Sequence, residues 1–224
     1  MSSSTLSAGR AAVQDVTVGS WDLPGTLCVP LDASALVIFA HGSGSSRFSM
    51  RNRQVAQALN QAGLATLLFD LLRPQEEMAQ GRARVFDISL LADRLMDAVV
   101  WADAMGSKGK QPIGLFGAST GAAAALVAAA ELGDRIGAVV SRGGRPDLAD
   151  DVLDKVTAPT LLIVGGEDHG VIELNRYALN RLKGMASLQI VPGASHLFPE
   201  PGAMERVTVL ATNWFEQYLT FSPT

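Results

Sequence analysis

Short apolar runs that alternate with helical patterns place the strongest constraint on how this chain folds. An apolar run with no polar alternation is typical of a strand that is buried on both faces of a parallel sheet. The sequence contains five such runs and a sixth, more mixed one: Ala35–Ala40, Ala65–Phe69, Ile113–Phe116, Ile136–Val140, Thr160–Val164 and Ser187–Val191.

Helical patterns occupy most of the segments between these runs. In the second of them, Leu91, Leu95, Ala98 and Ala102 recur at the spacing of one helical face. Alternating strands and helices predict right-handed crossovers and a doubly wound, mostly parallel α/β sheet with helices on both faces. The predicted helices are Arg51–Ala62, Ile88–Ala104, Thr120–Leu132, Ile172–Leu182 and Ala203–Leu219.

The start of the chain has a different pattern of polar and apolar residues. Two alternating segments, Val13–Val18 and Thr26–Val29, flank the turn residues Asp22 to Gly25 and predict an antiparallel hairpin. Residues 1–10 are rich in serine and are predicted to form a flexible tail. No composition break divides residues 11–224, so we expect one domain.

The segment that follows the fourth apolar run, Ser141 to Pro159, is short. A separate lid domain would need a longer insertion between two strands. We therefore expect a fold with no lid domain.

Composition and charge limit the classes of molecule that this chain is expected to bind. The net charge is −4 and the isoelectric point is near 5.3, which argues against a nucleic-acid surface. The longest apolar run, Gly121–Ala130, is much shorter than the ~20 residues that span a bilayer, so no membrane partner is expected. The single cysteine, Cys28, forms no internal disulfide, which favours a reducing, cytoplasmic compartment. The oligomeric state is left open.

The carboxyl ends of the strands are where an open parallel sheet binds its ligands. Reading only the residues that follow each apolar run therefore isolates the candidates for chemistry. They are the segment His41 to Gly44, Asp70, Ser119, Ser141-Arg142, Glu167-Asp168 and His196.

Gly117 to Gly121, with the sequence GASTG, follow the third of these runs and fit the pattern G-x-S-x-G. In that pattern a sharp turn between a strand and a helix exposes a nucleophilic serine, here Ser119. The alternative is that Ser119 is a small residue in a tightly packed turn.

A serine nucleophile needs a base, and the base needs a third group to hold it. The chain order Ser119, Asp168, His196 is the order associated with this serine turn. The alternatives are that Asp168 is a helix N-cap, with Glu167 as the acid, and that His196 is bonded to backbone. His169 adjoins Asp168 and is poorly placed to pair with it.

An oxyanion hole requires two donors. The backbone N–H of Thr120, directly after the serine, is one candidate, and the N–H of Ser43 in the loop HGSGSS is the other. Gly42 or Gly44 could supply the second donor instead. His41 is expected to brace this loop and not to act in catalysis.

Arg142 and Arg47 are the candidate substrate-binding residues. Arg142 follows a strand and is expected at the rim of the pocket, and Arg47 follows the oxyanion loop. Either guanidinium could hold a substrate carboxylate in bidentate fashion. The alternative is that they form structural ion pairs with Glu76 or Glu77.

The chain resembles the α/β-hydrolase superfamily between Val13 and Leu219, and within it the small, lidless dienelactone-hydrolase-like proteins. The segments HGSGSSR (41–47), GASTG (117–121), GGEDHGV (165–171) and GASHLF (193–198) carry this resemblance. Dienelactone hydrolases are expected to have cysteine at the nucleophile position, where this chain has Ser119. Cys28 lies too far along the chain to replace it. The departure favours a serine esterase mechanism.

These observations lead to the expectation of a serine hydrolase that cleaves small carboxylic esters, including lactones or thioesters. Ser119, His196 and Asp168 would act as nucleophile, base and orienting acid, with no metal or cofactor. One alternative is an acyltransferase that uses the same acyl-enzyme. The other is a catalytically silent, ligand-binding relative.

Overall fold

The computed structural model describes residues 11–73, 75–76, 86–105 and 111–219. The predicted N-terminal tail, residues 1–10, lies outside them. The strands are β1 (Ala12–Val18), β2 (Leu23–Val29), β3 (Leu36–Ala40), β4 (Ala65–Phe69), β5 (Ile113–Ala118), β6 (Ile136–Arg142), β7 (Thr160–Gly165) and β8 (Ala186–Val191). The helices are α1 (Met50–Gln61), α2 (Ile88–Met105), α3 (Thr120–Leu132), α4 (His169–Arg181) and α5 (Ala203–Tyr218).

The eight described strands form one sheet in the order β1-β2-β4-β3-β5-β6-β7-β8. Strands β3 to β8 are parallel, and the hairpin β1–β2 joins the edge in antiparallel orientation. The predicted hairpin is confirmed, but its turn lies earlier, because Pro24 and Gly25 pair with β1 and belong to β2. The predicted doubly wound α/β sheet is thus the fold of this chain.

Helices cover both faces of the sheet. Alternate residues of β3 point to opposite sides: Ile38 joins a core with α2, α3 and α4, and Phe39 joins a second core with α1 and α5. The alanine-rich face of α3, from Ala122 to Ala125, has no solvent exposure. Small side chains let this helix approach the sheet closely.

The connection between β6 and β7 is a 3₁₀ segment, Pro146–Lys155, that packs against the α3 side of the sheet through Ala149 and Leu153. It forms no lid domain. Among the described helices, none is long and apolar enough to cross a membrane.

The topology positions the site. The chain order reverses at β3, whose neighbours are β4 and β5. A crevice forms outside the carboxyl ends of the strands at such a switch point. The loop after β3, which begins at His41, and the turn after β5, which contains Ser119, therefore lie side by side.

Candidate active site

Ser119 occupies a strained turn between β5 and α3. Its backbone has φ 52° and ψ −120°, a conformation that residues other than glycine rarely adopt. Such strain costs on the order of 1–3 kcal/mol and persists only where the surroundings enforce it. Three backbone hydrogen bonds hold the turn. Ser119 N–H donates to Arg142 O at 3.2 Å, and Ser119 O accepts from Arg145 N–H at 3.2 Å and from Ala122 N–H at 3.1 Å.

The two glycines of the GASTG motif are required by close packing. A Cβ at Gly121 would overlap the carbonyl oxygen of Ala40 and lie 2.6 Å from that of His41, at the end of β3. A Cβ at Gly117 would lie 2.7 Å from the backbone nitrogen of Ala122. The glycines thus let α3 begin directly against the sheet and leave Ser119 at its edge.

Asp168 directs its carboxylate at His196. The residue stands at the N-cap position of α4, yet its side chain makes no capping hydrogen bond. His196 Nδ1 and Asp168 Oδ2 are 2.6 Å apart, and the carboxylate is mostly buried. The alternative that Asp168 serves as the cap is therefore wrong. Glu167, the other candidate acid, is exposed and faces His169 at 3.9 Å.

His196 lies beside the strand end that holds Ser119. Gly143 follows Arg142, whose carbonyl oxygen binds the Ser119 amide. A Cβ added at Gly143 would be 3.6 Å from His196 Cε1 and 3.1 Å from His196 O. Gly143 also has a φ of 52°, so a glycine is favoured here on two grounds. The structure brings Ser119, Asp168 and His196 to the same edge of the sheet.

The two candidate oxyanion donors lie next to each other. Ser43 N–H donates to Thr120 Oγ1 at 3.0 Å, and the Thr120 side chain is buried. Gly42 packs against the turn, because a Cβ on it would be 3.1 Å from Ser119 Cβ. The Thr120 amide begins α3, where a helix leaves its N–H groups without intrahelical acceptors. The Thr120 hydroxyl thus connects the loop after β3 to the serine turn, a contact between distant segments that no local motif predicts.

His41 braces the loop, as expected. Its ring is buried, Nε2 accepts the Leu71 N–H at 3.0 Å, and Nδ1 is 3.0 Å from Gly42 O. The Leu71 amide is a donor, so Nε2 must be unprotonated and Nδ1 must carry the proton. Both nitrogens are therefore engaged with backbone groups.

Cys28 is on β2, where burial raises the pKa of its thiol.

The two candidate substrate-binding arginines differ in their pairing. Arg47 is fixed by Asp70, which accepts its backbone N–H at 2.7 Å and pairs with its guanidinium. Glu76, one of the partners suggested for it, pairs instead with Arg73 and Arg94. Glu77, the other, lies outside the described residues.

Arg142 is not at the rim, because β6 extends through it and its side chain is 6% exposed. Arg142 Nη2 is 3.4 Å from Asn52 Oδ1 on α1, and the guanidinium lies 5.9 Å from the Phe198 ring centroid. Its Nε is buried and has no hydrogen-bond partner among the residues described. Burial and the charge of nearby Arg51 lower the pKa of Arg142 to about 10, so it stays charged at neutral pH.

A cavity of about 1000 Å³ adjoins this site. It is lined by residues of the hairpin, α1 and the segment before α5, and Arg47, Arg51 and Phe198 face it. Ser119, Asp168 and His196 are not among its lining residues. Within the described residues there is no cluster of three His, Cys, Asp or Glu side chains able to hold a metal ion.

Comparisons with known proteins agree with this architecture. A dienelactone hydrolase from Anabaena variabilis has a solved structure that is 53% identical, with a TM-score of 0.87, covering 94% of this chain and 98% of that one. An esterase from Pyrococcus furiosus shares the fold at 18% identity, with a TM-score of 0.73 and coverage of 93% and 92%.

Sequence relatives from two strains of Mycobacterium tuberculosis, CDC 1551 and H37Rv, are 56% identical over 204 residues. Both carry the name "putative phosphoribosyl transferase". The alignment covers 91% of this chain but 46% of those proteins, so the chain spans about half their length. The family model described as an alpha/beta hydrolase domain matches residues 33–211. The chain belongs to the alpha/beta hydrolase family and has a dienelactone-hydrolase-like fold.

Proposed function

We propose that this protein hydrolyses small carboxylic esters through an acyl-enzyme on Ser119. The observation that carries the proposal is the 2.6 Å contact between Asp168 and His196, at the sheet edge where a strained turn presents Ser119. Asp168 leaves the first turn of α4 uncapped to make it. A carboxylate with a purely structural role would gain more as the cap.

The mechanism follows from the donor and acceptor roles of each group. Asp168 accepts a hydrogen bond from His196 Nδ1–H, which keeps the proton on Nδ1 and leaves Nε2 as the base. Nε2 takes the Ser119 hydroxyl proton as the oxygen attacks the acyl carbon, and then gives it to the departing alkoxide. Water then attacks the acyl-enzyme. His196 Nε2 takes a proton from this water and gives it to the Ser119 oxygen as the acid is released, which restores the serine.

Two backbone amides are proposed to stabilise the oxyanion. The Thr120 N–H is available at the start of α3. The Ser43 N–H donates to Thr120 Oγ1 in this structure, so it must exchange that acceptor for the developing oxyanion. Each such donor is worth about 2.7–4 kcal/mol in the transition state.

Esters, lactones and thioesters all fit this chemistry. The structural relative named a dienelactone hydrolase supports the inclusion of lactones. We do not extend the name phosphoribosyl transferase to this chain, because the match covers under half of those relatives and the matching segment belongs to a hydrolase family.

Acyl transfer to an alcohol or amine is the alternative outcome of the same acyl-enzyme. The exposed fraction of the His196 side chain, 38%, favours hydrolysis, because water reaches the base. The partition between free acid and transferred ester, measured with increasing methanol, separates the two reactions. Hydrolysis predicts that the acid remains the main product at low methanol concentrations.

Turnover of 4-nitrophenyl acetate by the Ser119→Ala variant tests the proposal. The expected loss in kcat is on the order of 10³–10⁶. Ser187→Ala is the matched control, because Ser187 is near the amino end of β8, away from the catalytic edge. Equal turnover in Ser119→Ala and wild type would refute the mechanism.

A further inference from the structure

The charges of Arg142 and Arg51 have no counter-ion among the described residues. Arg142 is buried at the end of β6, and Arg51 is in the first turn of α1; no carboxylate of the described residues forms an ion pair with either. The Nε atoms of both side chains are buried and have no hydrogen-bond acceptor in the part of the chain that the structure describes. Burying an unpaired charge is costly, so a fold that keeps one needs a reason.

Other arginines nearby have a carboxylate partner, although the Nε of Arg47 is also buried without an acceptor among the described residues. Arg47 is paired with Asp70, and Arg145 is paired with Asp147 at 2.7 Å. At both positions a carboxylate neutralises the charge of the arginine. Arg142 and Arg51 have no such partner among the described residues. Arg51 directly precedes Asn52, whose side chain contacts Arg142, and the charge of Arg51 contributes to the lowered pKa of Arg142.

The surroundings add to the positive potential. Asn52, which contacts Arg142, is in the first turn of α1, where the helix dipole favours a negative charge. Arg51 and Phe198 line the cavity of about 1000 Å³, which also carries the carboxylates of Glu200 and Glu205. Arg142 is not a lining residue, and its guanidinium lies 5.9 Å from the ring centroid of Phe198 in the cavity wall. The Ser119 amide donates to the Arg142 carbonyl, so the backbone of Arg142 adjoins the serine turn, while its guanidinium lies toward Asn52 and Phe198.

We propose that Arg142 and Arg51 form a subsite for a doubly charged oxyanion, such as a phosphate monoester, carried by the substrate. Two guanidinium groups and a helix N-terminus supply more positive charge than one carboxylate neutralises. A phosphate group carries about −1.5 to −2 at neutral pH and offers three acceptor oxygens. This proposal rests on the proposed function only in calling the ligand a substrate.

Inorganic phosphate, titrated into the Ser119→Ala protein at constant ionic strength, tests the subsite without turnover. Calorimetry should show binding that weakens roughly 10–150-fold in Arg142→Gln and in Arg51→Gln, the range for a lost hydrogen bond to a charged group. Arg206→Gln is the matched control, because Arg206 is exposed on α5, is not among the residues that line the cavity, and its substitution removes the same charge. Acetate should bind more weakly than phosphate.

Arg142→Lys is the second variant at this position, to be used if Arg142→Gln fails to fold. Lysine keeps the positive charge but lacks the planar guanidinium. Phosphate should raise the melting temperature of the wild type and not that of Arg51→Gln. Phosphate should also inhibit hydrolysis of a neutral ester competitively, which places the anion in the substrate site.

Three results would overturn the subsite: phosphate binding that is absent, binding that the arginine substitutions leave unchanged, or acetate binding as tightly as phosphate. Non-competitive inhibition would overturn the assignment to the substrate. Binding is measured without catalysis, so a failure of ester hydrolysis leaves it interpretable.

Discussion

Gly121→Ala should disrupt both stability and activity, because it forces a methyl group between α3 and β3. The new Cβ would overlap the Ala40 carbonyl oxygen and lie 2.6 Å from that of His41. Both obstacles are backbone atoms, so no side chain can rotate away. Nonbonded separations of 3.5–4.0 Å are normal for carbon atoms, so α3 must move by about 1 Å.

The expected magnitude follows from that movement. Overpacking a tight site costs about 1–3 kcal/mol, and the rigid neighbours place this substitution near the upper value. For a domain of this size about 1 kcal/mol shifts the melting temperature by about 2–4 °C, so a fall of about 6–12 °C is expected. Ser119 would be displaced with α3, and a misplacement of 1 Å costs about 100-fold in rate.

Gly170→Ala is the matched control for this substitution. Gly170 is the second residue of α4, and a Cβ there meets no atom within 4 Å. Alanine should stabilise this position by about 0.4–1 kcal/mol, because it restricts the unfolded chain. Thermal unfolding followed by circular dichroism, with ester hydrolysis on the same samples, measures both effects. A Gly121→Ala protein that melts with the wild type and keeps its kcat/KM would refute the reasoning.

Two further predictions concern the chemistry of the site. Asp168→Asn should keep the fold and lower kcat by about 10⁴-fold, because the amide favours the wrong tautomer of His196; a loss below tenfold in steady-state assays would contradict the orienting role. Across a series of neutral 4-nitrophenyl esters, rates should fall as the acyl chain lengthens and show no jump at the solubility limit, because the β6–β7 connection provides no lid domain; an optimum at long chains would contradict this.

The fold was predictable because the apolar runs are strong local signals. All six runs became parallel strands, and α3 was predicted with its observed bounds, Thr120–Leu132. Boundaries that depend on tertiary contacts were harder to predict. Helix α4 begins at His169 and not at Ile172, because the turn at Asp168 already starts it. The 3₁₀ segment Pro146–Lys155 was not predicted, since short helices of this kind lack a periodic pattern.

The candidate active site likewise combines features that sequence motifs predict with contacts that depend on the tertiary structure. The GASTG motif and the chain order of Ser119, Asp168 and His196 are sequence signals, and the contact between Asp168 and His196 agrees with them. The burial of Arg142 was not predictable from its neighbours, because it depends on β6 running two residues past its apolar run and on α1 packing over it. The pairing of Arg47 with Asp70 likewise joins residues from two separate loops.

Covalent labelling with a fluorophosphonate tests the central claim most directly, because the probe reacts only with a serine that a base activates. Intact-mass measurement should show one adduct per chain, and peptide mapping should place it on Ser119. Labelling should be lost in Ser119→Ala and strongly slowed in His196→Ala. An adduct on another serine, or no adduct on the folded wild-type protein, would contradict the assignment of Ser119 as the nucleophile.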